Sequence, residues 1–148
     1  MRRPGDDDEP VWMYDTGGVK DDGLYRAVMQ NDSALAQRLL GEGADPSVAP
    51  KRNGNTPLHL AAFYADSDMA RVLMDGGAPI EARDANGCTP LLTATLSYGK
   101  GTEVIRLLLA AGANPAVEND HGVSPLSLSQ TLAGFPDDGR AELRNSPQ

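Results

Sequence analysis

Two histidines and a single cysteine are the side chains of this sequence best suited to hold a metal ion or to act as base and nucleophile: His59, His121 and Cys88. A zinc site needs three or four such ligands, usually in close pairs such as Cys-x-x-Cys or His-x-x-x-His. Neither spacing occurs, and no Ser-His-Asp or Cys-His arrangement can be defended from the sequence. We therefore predict no metal, no cofactor and no catalytic residue, and we do not expect an enzyme.

The segment Gly99-Lys100-Gly101-Thr102 shares part of its pattern with phosphate-binding loops. Such a loop needs Ser or Thr directly after the lysine and a glycine five residues before the Gly-Lys pair, and it follows a strand. Here Gly101 follows the lysine and Ala94 takes the place of the earlier glycine. We interpret the segment as an insertion in a loop between two helices.

Two short phrases recur in step along the chain. The first contains Thr or Ser followed by Pro and Leu, and the second contains Gly-Ala. The distance from Thr56 to Thr89 is 33 residues and from Thr89 to Ser124 is 35. The first phrase lies within Asn53–Ala62, Asn86–Ala94 and His121–Leu126. The second lies at Gly43-Ala44, Gly77-Ala78 and Gly112-Ala113. A fixed period of this length indicates a stack of similar structural units.

Each phrase predicts a particular part of a helix pair. The hydroxyl of Thr56, Thr89 or Ser124 can cap a helix, and the proline that follows suits the first helical position. Apolar residues at helical spacing predict a second helix, which ends at Gly77 or Gly112. Asn-Gly in the connecting segment is a turn signal, so we expect hairpin-like loops between the pairs. The predicted fold class is all-α.

The repeats divide the chain into about four units, of which the end units are degenerate. The predicted repeat domain covers residues 22–135, with units at about 22–50, 51–82, 83–117 and 118–135. Residues 1–21 are predicted to be a flexible acidic arm, although Val11–Tyr14 is apolar and could dock on the first unit. Residues 136–148 are predicted to be a remnant of a C-terminal cap or a flexible tail.

The chain closely resembles the ankyrin repeat family over about residues 22–133. Asn53–Ala62 followed by Gly76-Gly77-Ala78 matches the family pattern almost completely, whereas Leu92 replaces the motif histidine in the third unit. The resemblance implies a curved solenoid that binds proteins on its concave side and has no catalytic activity of its own. It also implies that His59 ties neighbouring loops together.

Charge and composition exclude several classes of function. The net charge is −8, and residues 1–22 hold seven acidic and three basic side chains, which disfavours nucleic acid as a partner. No apolar run approaches the roughly 20 residues that span a bilayer, so no membrane association is expected. A single cysteine fits a reducing compartment, and we predict a cytoplasmic protein. The acidity allows a basic protein partner, but it also serves ordinary solubility.

The resemblance places candidate contact residues on the concave side. Near the ends of the first helices they are Met29, Gln30, Phe63, Tyr64, Leu96, Ser97 and Tyr98; at the loop tips they are Arg52, Asn53, Asn55, Arg83, Asp84, Asn86, Asn119, Asp120 and His121. Aromatic residues such as Phe63 and Tyr64 are favoured anchors of interfaces. The alternative for Phe63 is that it packs against the neighbouring unit, and the loop-tip residues could simply be solvated.

We therefore expect a non-catalytic protein-interaction module that binds a partner through its concave helix and loop surface and is monomeric when free. Inhibition or sequestration of the partner is a natural form of this function. The composition suggests a bacterial protein, and small acidic bacterial members of the family can resemble immunity proteins that neutralise a basic toxin. The alternative is a structural subunit that associates with itself.

Overall fold

The computed structural model describes residues 22–50 and 52–146, apart from the side chain of Asp22. These residues form eight α-helices, one short 3-10 helix and no strand. The helices are α1 (Asp22–Met29), α2 (Ser33–Gly41), α3 (Pro57–Phe63), α4 (Ser67–Asp75), α5 (Pro90–Leu96), α6 (Glu103–Ala110), α7 (Pro125–Thr131) and α8 (Asp137–Asn145). The predicted acidic arm, including Val11–Tyr14, lies outside the described residues.

Three of the helices begin as the repeated phrase predicts. The hydroxyl oxygens of Thr56, Thr89 and Ser124 accept hydrogen bonds from the backbone N–H three residues later. A proline follows each cap at the first helical position. Each cap satisfies a backbone donor that the helix itself leaves unpaired, so the start of the helix is set locally.

The ends of the second helices also follow the prediction. Gly77 and Gly112 have φ angles of 93° and 98°, in the left-handed region that glycine adopts at little cost. The turn from the first to the second helix uses the same region without glycine. Asn31 and Ala65 have φ angles of 57° and 54° at equivalent positions of the first and second units.

The helices form two layers. The first helices of successive units pack side by side as α1, α3, α5 and α7, and the second helices pack as α2, α4, α6 and α8. The core between the layers is aliphatic and includes the buried Leu58, Leu73, Leu91, Ile105 and Leu108. Since one helix pair cannot bury its apolar faces alone, stability comes from the stacking of neighbours. The predicted all-α repeat solenoid is confirmed.

The loops between units form the predicted hairpin-like projections, which we call fingers and number by the unit that each begins (finger 2 at Asn53, finger 3 at Asp84, finger 4 at Asn119). Asp84 N donates to Cys88 O at 3.0 Å within finger 3, and Asn119 N donates to Val123 O at 2.8 Å within finger 4. Successive fingers are joined by backbone hydrogen bonds of 2.9 Å, from Ala85 N to Asn53 O and from Asp120 N to Asn86 O. The fingers are therefore held to one another and not only to their own helices.

The predicted loop insertion between α5 and α6 is ordered as a 3-10 helix, Tyr98–Lys100. The Tyr98 hydroxyl donates to Ala133 O at 2.6 Å, and the Tyr98 ring lies 5.2 Å from the ring of Phe135. The insertion in the third unit thus packs onto the fourth.

A further helix, α8, follows residue 135, where the fourth unit was predicted to end. The segment predicted as a cap remnant or flexible tail contains α8, which packs against α7 and α6. Leu143 of α8 and the preceding Phe135 are buried in the core, while Asp137, Asp138 and Arg144 are exposed. A polar outer side is what the last unit of a stack requires. No helix of the described segments has the length and apolar character needed to cross a bilayer.

A candidate protein-binding groove

A groove of about 440 Å³ lies between the fingers and the layer of first helices. It runs across the first three units. Its apolar lining consists of Met29, Leu60, Phe63, Tyr64 and Leu96, its finger edge of Asn53, Asn55, Asp84 and Asn86, and the remainder of its surface of Tyr25, His59, Cys88 and Thr93. This volume lies within the range of about 300–1,000 Å³ that is usual for ligand-binding pockets.

Apolar exposure in the described residues is concentrated in this groove. Phe63 is 50% exposed, Tyr64 38% and Leu96 57%, and these are the exposed large hydrophobic residues of that part of the chain. The rings of Phe63 and Tyr64 meet edge to face, with centroids 5.2 Å apart. Phe63 is therefore half exposed, so one side of its ring remains accessible to a partner. Exposed apolar residues that gather at one place are typical of interaction sites.

Lys100, from the insertion of the third unit, lies over the aromatic pair of the second. Its Nζ atom is 4.6 Å from the centre of the Phe63 ring and 5.7 Å from that of Tyr64, and it donates to Phe63 O at 3.4 Å. A cation at this distance from a ring face is attracted by the electron-rich face. The insertion thus adds one positive charge beside the apolar residues of the groove.

The finger edge of the groove is held in shape by its own side chains. Asn53 Oδ1 accepts a hydrogen bond from Asn55 N at 3.0 Å. Asp84 Oδ1 accepts two, from Asn86 N at 2.8 Å and from Cys88 N at 3.0 Å. These residues are therefore positioned before any partner arrives, which lowers the ordering cost of binding.

His59 ties the second unit to the third, as the family resemblance implies. Its Nδ1 atom accepts from Thr56 N at 3.1 Å, so the proton is assigned to Nε2, which donates to Cys88 O at 2.8 Å. Burial lowers the pKa of His59 below its ordinary value, and the hydrogen bond to Cys88 opposes that shift. The neutral ring has partners on both nitrogens and acts as a structural tie. Burial also raises the pKa of the Cys88 thiol.

Tyr25 takes the position of His59 in the first unit, 34 residues earlier. It is buried, and its hydroxyl is hydrogen bonded to the side chain of Asn53 in finger 2. Burial raises the pKa of Tyr25 to about 12, while the hydrogen bond with Asn53 lowers it. Tyr25 was not predicted as part of the site, because the first unit lacks the Thr-Pro-Leu-His phrase. Counting 34 residues back from His59 would have found it.

Leu60 and Thr93 line the groove and were also not predicted. Each lies three residues before a predicted contact residue, Phe63 and Leu96 respectively, and so occupies the same helix face. The i, i+3 spacing was the signal that could have located them.

Half of the predicted contact residues lie in the groove: Met29, Asn53, Asn55, Phe63, Tyr64, Asp84, Asn86 and Leu96. The others lie outside it, namely Gln30, Arg52, Arg83, Ser97, Tyr98, Asn119, Asp120 and His121. Several of them have structural contacts of their own. Tyr98 packs on the fourth unit, Arg83 donates to Gly87 O and Glu118 O, and Asn119 Oδ1 accepts from His121 N and Val123 N.

Residues 22–50 and 52–146 contain no cluster of three or more His, Cys, Asp or Glu side chains that could hold a metal ion. The groove offers one carboxylate, Asp84, together with amides, hydroxyls and apolar surface. This chemistry suits the recognition of a folded surface or a peptide segment, which combines apolar side chains with backbone donors and acceptors.

Comparison with known proteins agrees with this architecture. The family model described as ankyrin repeats (3 copies) matches residues 24–119. The chain belongs to the ankyrin repeat family. Ankyrin repeats generally mediate protein–protein interaction, and the family is typically non-catalytic.

Individual relatives are longer proteins that carry such repeats. Protein PhlB of Serratia liquefaciens is 40% identical over 110 residues, which are 74% of this chain and 47% of PhlB. The tyrosine-protein kinase Shark of Drosophila melanogaster is 36% identical over 104 residues, 70% of this chain and 11% of the kinase. The mouse nuclear factor NF-kappa-B p105 subunit is 35% identical over 113 residues, 75% of this chain and 11% of that subunit. The chain thus spans less than half the length of each of these relatives.

Proposed function

We propose that this chain is a non-catalytic module that binds a partner protein in the groove between its fingers and first helices. The observation that carries the proposal is the gathering of Phe63, Tyr64 and Leu96, the large exposed apolar residues of the described chain, in that one groove. In the free chain a large part of each of these side chains is in contact with water. In a complex they would be covered, and covered aromatic residues contribute most to binding energy.

The rigidity of the site supports the same function. The fingers are joined by backbone hydrogen bonds, and Asn53 and Asp84 hold their own turns. Of the first helices below them, α3 and α5 are packed on both sides by the first helices of neighbouring units. Because little has to be ordered on binding, most of the contact energy remains available for affinity.

Affinity capture tests the proposal. The wild-type chain is compared with a Phe63→Ala/Leu96→Ala variant as bait in a lysate of the source cells. We expect the wild type to retain a specific protein that the double variant loses. Gln130→Ala, an exposed change on α7 away from the groove, is the matched control and should retain it. Gln130→Ala should keep wild-type stability within about 0.5 kcal/mol. The double variant should remain folded but lose about 1–2 kcal/mol, because Phe63 and Leu96 are half buried and Phe63 contacts Tyr64 and Lys100.

A partner that stays bound to the double variant but is lost from variants of the outer helices would contradict the proposal. Light scattering of the wild type at increasing concentration tests the alternative, a self-associating structural subunit. A dimer that dissociates on Phe63→Ala/Leu96→Ala would favour that alternative. A monomer at all concentrations is expected here.

The finer form of the proposal is an inhibitor or immunity protein that occupies a basic partner in the cytoplasm. The net charge of −8 supports it, because opposite net charges accelerate association. The single cysteine, with its thiol pKa raised by burial, suits a reducing compartment. Association rates with the captured partner should fall steeply as salt increases, and a rate that is independent of salt would argue against a basic partner.

A further inference from the structure

The insertion that distinguishes the third unit ends at the groove. The segment between the helices of the third unit, Ser97–Thr102, is longer than its equivalent in the second unit, Tyr64–Asp66. The insertion places Lys100 over the rings of Phe63 and Tyr64, which belong to the preceding unit. One side chain of the insertion therefore contributes directly to the candidate binding surface.

The position of Lys100 is fixed by the fold. The 3-10 helix that carries it is closed by hydrogen bonds from Lys100 N to Ser97 O and from Gly101 N to Tyr98 O. Tyr98 anchors the same helix to the fourth unit through Ala133 O and the Phe135 ring. Lys100 thus projects toward the groove from a segment that is held at both ends.

The charge of Lys100 has no carboxylate partner among the described residues. Arg71, Arg106 and Arg140, in contrast, each form ion pairs with carboxylates. Lys100 instead meets two ring faces and one backbone carbonyl, and it is exposed. A partner carboxylate that reached Lys100 here would be shielded from water by the same aromatic side chains, which strengthens a charge pair.

The groove has opposite charges at its two ends. Asp84 precedes α5 on finger 3, and Lys100 follows α5 in the insertion. The seven residues of α5, a helix about 10 Å long, lie between the negative and the positive side chain along the chain. A carboxylate would be repelled at the finger end and attracted at the insertion end, and this sets the direction of a bound segment.

Resting on the proposed function, we propose that the groove selects a partner segment with an apolar side chain, which inserts between Phe63 and Leu96, and a carboxylate within three or four residues of it, which pairs with Lys100. The chain as a whole is acidic, so this local cation is what admits an acidic residue of the partner. Lys100 is thereby a specificity determinant of the groove.

Selection from a phage-displayed library of random dodecapeptides tests this inference on the whole chain. The baits are the wild type, Lys100→Gln, Lys100→Glu and Phe63→Ala/Leu96→Ala. We expect the wild type to enrich peptides with Asp or Glu close to an aromatic or aliphatic residue. One synthetic peptide of this kind should bind Lys100→Gln about tenfold more weakly, the change that a partly desolvated charge pair provides. Replacing its acid by lysine should restore binding to Lys100→Glu.

The outcomes separate this inference from the proposed function. Enriched peptides that depend on Phe63 and Leu96 but show no acidic preference would overturn the role of Lys100 and leave the groove as the binding site. A preference for acidic peptides that persists with the Lys100→Gln bait would also overturn the role of Lys100. If the wild type enriches no peptide beyond those of the Phe63→Ala/Leu96→Ala bait, peptide binding in the groove fails, and this inference fails with it.

Discussion

His59 joins two successive units through both of its ring nitrogens, and this arrangement requires the neutral ring. Protonation of Nδ1 would remove the acceptor for Thr56 N, while Nε2 already donates to Cys88 O. The corresponding residue of the third unit is the buried Leu92, which fills the same place without a polar link. The family resemblance implied this tie between loops, because the second unit alone contains the complete Thr-Pro-Leu-His phrase.

The first prediction concerns pH. Because burial lowers the pKa of His59 in the folded chain, the unfolded chain binds a proton near its ordinary value of 6.5 while the folded chain does not. The His59 contribution to stability is therefore complete above that value and decreases as the pH falls below it, toward the lower pKa of the folded state. Urea unfolding at a series of pH values between about 8 and 5 measures this loss.

The matched variant is His59→Leu, which copies the third unit. It should lose about 1–3 kcal/mol at neutral pH, because a buried N–H and a carbonyl lose their partners. It should also lose the part of the pH dependence that His59 causes. The control is His121→Gln, which removes the exposed histidine of finger 4 and should keep the pH dependence that His59 causes. An unchanged pH dependence in His59→Leu would show that the tie does not titrate as described.

The second prediction concerns Ala65, an alanine with a φ angle of 54°. Left-handed backbone costs alanine about 1–2 kcal/mol, whereas asparagine and glycine adopt it more readily. Asn31 occupies the equivalent turn of the first unit at 57°. Ala65→Asn should therefore stabilise the chain by about 0.5–1 kcal/mol, and Asn31→Ala should destabilise it by a similar amount. Denaturant unfolding measures both, and stabilisation by Asn31→Ala would contradict the reasoning.

At the scale of elements, the stacked fingers depend on close backbone approach. A Cβ atom added at Gly87 would lie 2.5 Å from Asp120 Oδ1 and 3.0 Å from Asp120 N of the next finger. Gly122 is the equivalent residue of finger 4, with nearly the same φ angle, 76° against 77°, but with no described atom within 4 Å of an added Cβ. The two glycines therefore share the left-handed conformation, which would strain alanine equally at both positions. They differ in whether the next finger lies within contact of an added Cβ atom.

This pair gives the third prediction. Gly122→Ala should cost about 1–2 kcal/mol, the strain of left-handed alanine alone. Gly87→Ala should cost at least about 1 kcal/mol more, because the next finger must also move away. Equal losses in the two variants, measured by urea unfolding, would show that contact between fingers 3 and 4 contributes nothing.

The last helix shows where sequence reasoning was insufficient. The helix starts at Thr56, Thr89 and Ser124 were predictable, because capping depends on residues three apart. Helix α8 lacks such a cap and buries only Gly139 and Leu143, so it has no apolar periodicity to detect. The sequence signal that could have indicated this helix is its charge distribution. Asp137 and Asp138 lie in the first turn and Arg144 in the last, as the helix dipole favours.

The fourth prediction tests the role of α8 as the closing helix. Leu143 is 0% exposed, and Leu143→Ala should cost about 2–5 kcal/mol for the loss of a buried side chain and the cavity it leaves. Arg144→Ala, at the exposed neighbouring position, is the control and should change stability by less than about 0.5 kcal/mol. A comparably small effect of Leu143→Ala would mean that α8 does not close the core in solution.

At the scale of the whole molecule, the repeat period was sufficient to predict the architecture. The groove forms where the first three units stack on one another. Phe63 and Leu96 were placed on this surface in advance because they end α3 and α5 at equivalent positions, and Tyr64 because it directly follows Phe63. Tyr25 and Lys100 were not, because each depends on a departure from the repeat. Tyr25 lies in a degenerate first unit, and Lys100 reaches Phe63 only through an insertion whose direction depends on the packing of Tyr98 against the fourth unit.

Methyl NMR spectra of the chain with and without its captured partner test the central proposal most directly, since they show which surface is covered. We predict that the methyl signals of Met29, Leu60 and Leu96 shift on binding, while those of Val72 and Leu109 in the second helices do not. Shifts confined to Val72 and Leu109, with the groove signals unchanged, would contradict it.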